Sequence, residues 1–163
     1  MGTWLLTYLS DNDPNLHNLR GDLVNIDSWS EDELKRVQDK LESHKYSIQI
    51  RTVDIKALHN YLAFKRNFSL RLLENPVLME NESFTNLLRA IFHLTEELEL
   101  RGDLSSLPDS DLQHIAADIV RAYHLLVMEW MPYIMYLNKN YPYLFSLAMR
   151  TNPFDESASV TVK

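Results

Sequence analysis

The chain contains no cysteine. That absence removes disulfides, thiolate metal sites and cysteine nucleophiles together, and it suits a reducing compartment. Glycine is almost as scarce, with three in 163 residues. Gly-rich phosphate loops and tight-hairpin β folds both need residues that tolerate positive φ, so neither is expected. Basic residues are outnumbered, giving a net charge of −7. That is the wrong sign for neutralising a phosphate backbone, so no nucleic-acid partner is expected. Long apolar runs are missing as well. A spanning helix needs about 20 nearly uncharged residues, and the best stretch, Leu125 to Leu137, is shorter and contains Glu129. Trp4 to Leu9 is apolar but short, without the basic lead and cleavage site of a signal peptide. It reads as a core strand, a docked first helix, or the trailing end of a membrane helix in a longer parent.

What is present is 45% apolar and 24% charged, ordinary for a globular domain. The patterning is helical. It predicts an all-α helical bundle with a long N-terminal heptad-bearing helix and a kinked central C-terminal helix. Residues 1–29 read as an N-terminal connector, because Asp, Asn, Pro and Gly crowd 11–29 and each favours turns. Arg20-Gly21-Asp22 recurs as Arg101-Gly102-Asp103, and both read as a glycine interrupting the chain between helices. Ser30-Glu31-Asp32-Glu33 is a capping-box sequence, so a helix is expected to start there.

Residues 30–75 are expected to form one long basic helix or a helix pair. Leu34, Leu41, Ile48, Ile55 and Leu62 fall seven apart, a seam suited to a homo-oligomer. Tyr46 to Val53 has high β propensity and admits a break or short strand. Asn75-Pro76 is expected to stop the run. Residues 76–154 read as a helical core domain. Phe84, Leu87, Leu88, Ile91, Leu94 and Leu98 make one apolar face, and Leu112, Ile115, Ile119, Ala122, Leu126 and Trp130 another. Pro132 is expected to kink the second of these helices, and Pro142 to start a short one. Residues 155–163 read as a disordered polar tail.

No catalytic, cofactor-binding or metal-ligating set is expected. Within the helical core, His93 and Glu96 lie three apart, but the order is the reverse of the Glu-x-x-His used in helical metal sites. They read as part of a charged ladder with Arg89 and Glu97. His114, Asp118 and Arg121 read as a structural surface set. Glu129 is a candidate buried acid, with a tyrosine or Arg150 as the expected partner. His124 lies five residues away, about 140° around the helix, so the two cannot act together unaided. An alternative reading is a small ligand-binding protein or enzyme that uses Glu129, His124 and the tyrosines. Trp130, Tyr133, Tyr136, Tyr141, Tyr143 and Phe145 are expected mainly in the core. A further asymmetry is electrostatic. From 45 to 73 the chain carries Lys45, Lys56, Lys65, Arg66 and Arg71 as well as Arg51, against Asp54 alone. That basic set suits an anionic membrane surface, or attraction to the acid-rich 74–118 stretch within the fold.

Three segments resemble a known group: ENPVLMENESFTNLL (74–88), FHLTEELELRGDLSSLPDSDLQHIAADI (92–119) and EWMPYIMYLNKNYPYLFSLAMRTNPF (129–154). They resemble the soluble C-terminal region of prokaryotic ion-channel-like proteins with two membrane helices and a potassium-channel-type pore loop. The resemblance implies a non-enzymatic cytoplasmic domain at the inner face of the cell membrane. That domain would assemble or regulate an upstream pore. It carries over no binding residues, and this chain has no selectivity-filter sequence.

Overall fold

In the computed structural model, all residues are described except Asn25, Asp27, Ser28, Val162 and Lys163. The described residues form eight α-helices and no strand. These are α1 (Gly2–Ser10), α2 (His17–Val24), α3 (Glu31–Ser43), α4 (Ile55–Leu73), α5 (Pro76–Met79), α6 (Glu82–Glu99), α7 (Asp109–Asn140) and α8 (Pro142–Arg150). The all-α expectation therefore holds.

Local chemistry sets most of the helix starts. At Ser30 the capping box closes in both directions. The Glu33 N–H donates to Ser30 Oγ at 3.3 Å, and the Ser30 N–H donates to Glu33 Oε2 at 2.8 Å. Asp54 accepts from the Ala57 N–H at 2.9 Å, Asn75 from Val77 and Asn81 from Phe84, both at 3.0 Å. Each side chain satisfies a donor that the first helical turn leaves unpaired. Asn75-Pro76 ends the preceding run as expected, and Pro76 and Pro142 occupy first turns, where a missing N–H costs nothing. Pro132 lies inside α7, which continues through it as one helix.

The N-terminal expectations need correction. The 1–29 connector is mostly helical, with Gly21 inside α2 rather than at a break, while Trp4 to Leu9 lie inside α1, the first helix among the three readings of that stretch. Its remaining turn positions Asn25, Asp27 and Ser28 lie outside the described residues. Burial of Leu5, Leu6, Leu9, Leu19 and Leu23 overrides the turn propensity of the intervening polar residues. The heptad seam does not exist as a continuous stripe. Leu34 and Leu41 are on α3, Ile48 is in the link between helices, and Ile55 and Leu62 are on α4. The β-branched residues around 48–53 and the Asp54 cap separate one helix from the next, so the seven-residue spacing runs over two separate helices. Leu41, Ile55 and Leu62 are buried within the chain's own fold. In the tail, the Asp155 carboxylate accepts from Ser157, and Arg150 donates to the Val160 carbonyl at 2.8 Å, so 155–161 is a series of turns. Val162 and Lys163 of the expected tail lie outside the described residues.

The chain divides into two compact units whose limits cut across the expected boundaries at 29/30 and 75/76. One comprises Met1–Ser47 together with the stretch from Leu126 onward, and the other comprises Ile48–Leu125. In the first, Asn152 is the main polar fastener. Its Nδ2 donates to the Leu23 carbonyl at 2.8 Å, and its Oδ1 accepts from the Phe154 N–H at 3.0 Å. Ser10 Oγ donates to the Pro153 carbonyl at 3.0 Å, and the Phe154 ring meets Trp130 edge-on at 4.8 Å. In the second, α4 packs along α6, with Leu58, Leu62, Leu87, Leu88, Ile91, Leu94 and Leu98 buried.

Two stability changes follow. Replacing Asn152 with Ala leaves two buried backbone groups unpaired, so chemical denaturation should show a loss of about 2 kcal/mol. A loss within error would mean that water restores both bonds. Gly21 lies within a helix, and a Cβ added there meets nothing within 4 Å. Gly21→Ala should therefore raise stability by roughly 0.5–1 kcal/mol, read as a higher denaturation midpoint at unchanged slope.

Candidate functional site: a histidine–carboxylate cluster on α6 and α7

The second unit brings together charged residues that are scattered along the sequence. Arg101 follows the end of α6 and forks onto the first turn of α7. Its Nε donates to Asp111 Oδ2 at 2.7 Å and its Nη2 to Asp111 Oδ1 at 2.6 Å. Its Nη1 donates to Glu97 Oε2 at 2.7 Å. A planar guanidinium that engages one carboxylate through two parallel bonds fixes orientation as well as proximity. One turn further along each helix, His114 Nε2 lies 3.6 Å from Glu97 Oε2. Beyond that, His93 Nε2 lies 3.5 Å from Asp118 Oδ2. The pairings 101 with 111, 97 with 114 and 93 with 118 run in opposite directions, so α6 and the start of α7 are antiparallel.

Within each helix the partners are four apart, His93 with Glu97 and His114 with Asp118, the spacing that puts two side chains on one face. His93 Nε2 is 3.9 Å from Glu97 Oε1, and His114 Nε2 is 3.5 Å from Asp118 Oδ2. One donor atom from each of Glu97, His114 and Asp118 lies within 4.8 Å of the other two. Asp118 is only 2% exposed, and its Oδ2 has no hydrogen-bond partner among the described residues. Its Oδ1 faces Arg121 Nη1 at 3.3 Å. Both histidines are open to solvent on their outer side.

Arg101 sets the electrostatics. Its hydrogen bonds hold the Glu97 and Asp111 carboxyls below the usual carboxylate range, and the two acids in turn raise the guanidinium pKa.

The expected site residues are distributed differently. His93 pairs with Glu97 and Asp118 rather than with Glu96, which is exposed. Glu129 is half-buried rather than buried, and it pairs with neither a tyrosine nor Arg150 among the described residues. Arg150 is turned to the Val160 carbonyl instead. Of the aromatic cluster, Trp130 and Phe145 are buried, whereas Tyr133, Tyr136, Tyr141 and Tyr143 are exposed. A tyrosine at these positions keeps its ring on the surface because neither helix turns that face inward. The basic set does not form one face. Lys45 lies in the link after α3 and Lys56 in the first turn of α4, while Arg66 is turned toward Glu99 at 3.6 Å and over the Phe92 ring at 5.1 Å.

Asp13, His44 and Ser47 also meet, but they do not make a nucleophile. Ser47 Oγ donates to Asp13 Oδ1 at 3.2 Å, and His44 Nε2 faces Asp13 Oδ2 at 3.3 Å. Serine and histidine share the acid rather than each other, so no base is placed to take the hydroxyl proton.

Sequence reasoning noted both histidines and Asp118 but missed the cluster and the role of Arg101. The available signal was the pair of i, i+4 His-carboxylate spacings on consecutive amphipathic helices joined by a short link.

Fold and site together define an all-helical protein whose second unit carries a mixed histidine–carboxylate cluster. The sequence matches, over residues 1–150, the family described as "Uncharacterized protein MJ1433, C-terminal helical domain", and the chain belongs to that family. It is similar to uncharacterized protein MJ1433 of Methanocaldococcus jannaschii, with 43% identity over 160 residues, covering 98% of this chain and 64% of the relative. The chain thus spans about two thirds of the length of that curated relative. No solved structure matches it.

The Arg101 fork makes stability pH-dependent in a defined sense. Carboxyls with depressed folded-state pKa contribute stability above their unfolded values, here 4.5 for Glu97 and 3.8 for Asp111, and lose it as pH falls through the folded values. In chelator-treated protein, Arg101→Met should lower the melting temperature clearly at pH 7. The gap from wild type should shrink as pH is lowered below these values. A gap independent of pH would assign the effect to lost packing of the arginine stem.

Proposed function

We propose that this chain is a non-enzymatic helical domain that docks, through α4, on an anionic membrane surface and so holds a longer protein at the membrane. The observation that carries this reading is the composition and exposure of α4. Its 19 residues include no acid and four cations, Lys56, Lys65, Arg66 and Arg71. This occurs in a chain with net charge −7. Its inward face is Ile55, Leu58, Leu62 and Ser69. Its outward face carries Phe64, 79% exposed, Phe68, 44% exposed, and Arg71.

At 100° per residue these three outward positions fall within about 60° of one another. Lys65 stands beside them, its Nζ 4.8 Å from the Phe64 ring centre. A phenylalanine left in water forgoes about 1.5–3 kcal/mol of burial. Two of them on a cationic, acid-free helix face form the mixed surface that an anionic lipid interface accepts. Each nearby Lys or Arg adds about 1 kcal/mol there. Arg66 is committed to Glu99 and Phe92, so Lys65 and Arg71 carry the electrostatic share.

Among the described residues no helix is long and apolar enough to cross a membrane. Attachment through α4 is accordingly peripheral and reversible. The expectation of an upstream pore rests on the resemblance alone, and the α4 argument does not need it. The 64% coverage of the relative fits a domain acting within a longer protein.

Cosedimentation with vesicles tests the reading. Wild-type protein should bind vesicles containing phosphatidylglycerol and not pure phosphatidylcholine, with binding falling as salt is raised. Phe64→Ser with Phe68→Ser, and separately Lys65→Glu with Arg71→Glu, should each weaken it severalfold. Phe64, Phe68 and Arg71 are exposed and Lys65 is half-buried, so circular dichroism should stay unchanged. No binding, equal binding to neutral vesicles, or unchanged binding by both double variants would overturn the reading. An α4 that instead retains a specific protein would place that protein on the same face.

A further inference from the structure

We infer that His93, Glu97, His114 and Asp118 form a binding site for one divalent first-row transition cation of the zinc class, bridging α6 and α7. The cluster has the spacing of ligands around a metal more than that of a hydrogen-bonded network. The four contacts that join imidazoles to carboxylates are 3.5, 3.5, 3.6 and 3.9 Å. These exceed normal N–H···O distances. Two ligand atoms each bound to zinc at its usual length sit about 3.3 Å apart across a tetrahedral angle. His114 Nε2 shares one group within 4.8 Å with Glu97 and Asp118, and His93 Nε2 flanks that group at 3.5 Å from Asp118 Oδ2.

Asp118 gives the independent sign. A carboxylate that is 2% exposed and leaves Oδ2 without a hydrogen bond carries a desolvation cost that something should offset. Arg121 takes only the other oxygen. The unbonded oxygen is the one that lies 3.5 Å from each imidazole nitrogen.

The arginines then read as outer supports. Arg101 donates to Glu97 Oε2, the oxygen that also faces His114, while holding Asp111, and Arg121 orients Asp118. Ligating carboxylates are commonly held in this way. The arginines do not exclude a cation. Three carboxylates against two guanidiniums leave the cluster one unit negative with neutral histidines. Two imidazoles and two carboxylates without a thiolate favour zinc, cobalt or manganese over copper(I), and imidazole disfavours calcium. The exposed sides of His93 and His114 provide the path of entry. A cation here would fasten α6 to α7 at a second point beyond the Arg101 fork. This inference does not depend on membrane docking, since none of the four residues belongs to α4.

The test uses the untagged 163-residue chain, stripped with chelator and titrated with zinc by calorimetry, then with cobalt(II) by visible absorption. One equivalent should bind, saturating zinc should raise the melting temperature, and cobalt should give one d–d spectrum. His93→Gln with His114→Gln alters two exposed side chains and should keep the fold. It should lower zinc affinity at least about tenfold. Asp118→Asn, isosteric at the buried position, should remove the zinc-induced thermal shift. Failure of the wild type to bind zinc or cobalt at submillimolar concentration would overturn the inference. So would zinc affinity unchanged in the double histidine variant, since the cation would then lie elsewhere.

Discussion

A single guanidinium sets the register of the second unit. Arg101 sits just beyond the end of α6 and grips Glu97 behind it and Asp111 ahead of it. The link that follows contains the exposed Gly102 and a tight turn in which Asp103 accepts from Ser105 and Ser106. Those bonds push the Asp103 carboxyl down to about 2, so it stays ionised and keeps the turn closed. With both ends of the link pinned, α7 has to return along α6 in one alignment. Glu97 then meets His114, and His93 meets Asp118.

That alignment has an electrostatic consequence. An acidic chain would be expected to spread its carboxylates apart, yet here Glu97, Asp111 and Asp118 converge. Arg101 and Arg121 offset most of their mutual repulsion. The remaining deficit falls on Asp118, whose buried oxygen faces two imidazoles without a hydrogen bond to either. A cation-binding role and a purely ionic ladder differ on this one atom. A ladder of protonated histidines needs no buried unbonded oxygen, because surface pairs form equally well in water and contribute little.

The opposite charge is segregated onto α4. Its acid-free sequence leaves one side to pack on α6 and the other to expose Phe64 and Phe68. Arg66 turns inward to Glu99 and Phe92, an internal pairing of the basic and acidic stretches. Lys65 and Arg71 do not, and the attraction between the two stretches is therefore only partly satisfied inside the unit. A cationic aromatic face left outward in a net-negative chain is the physical basis for assigning this helix to an anionic surface.

The amino-acid sequence by itself determined the helical class, the cap at Ser30, the stop at Asn75-Pro76, the helix start at Pro142, and the buried stripes of α6 and α7. These depend on interactions within a few residues, where spacing converts directly into geometry. It misread the seven-residue spacing from Leu34 to Leu62. A period identifies a shared face only if one helix carries it, and the break at 44–54 removes that condition. It also placed Gly21 in a break and Glu129 in the core, since local propensity does not report which surfaces will be covered. The His93–Glu97 and His114–Asp118 pairs were each visible as i, i+4 neighbours. Their convergence was decided only by the tertiary structure. Helical periodicity tells which residues share one face, whereas the facing of two helices depends on the link and on the Arg101 bonds that hold its ends.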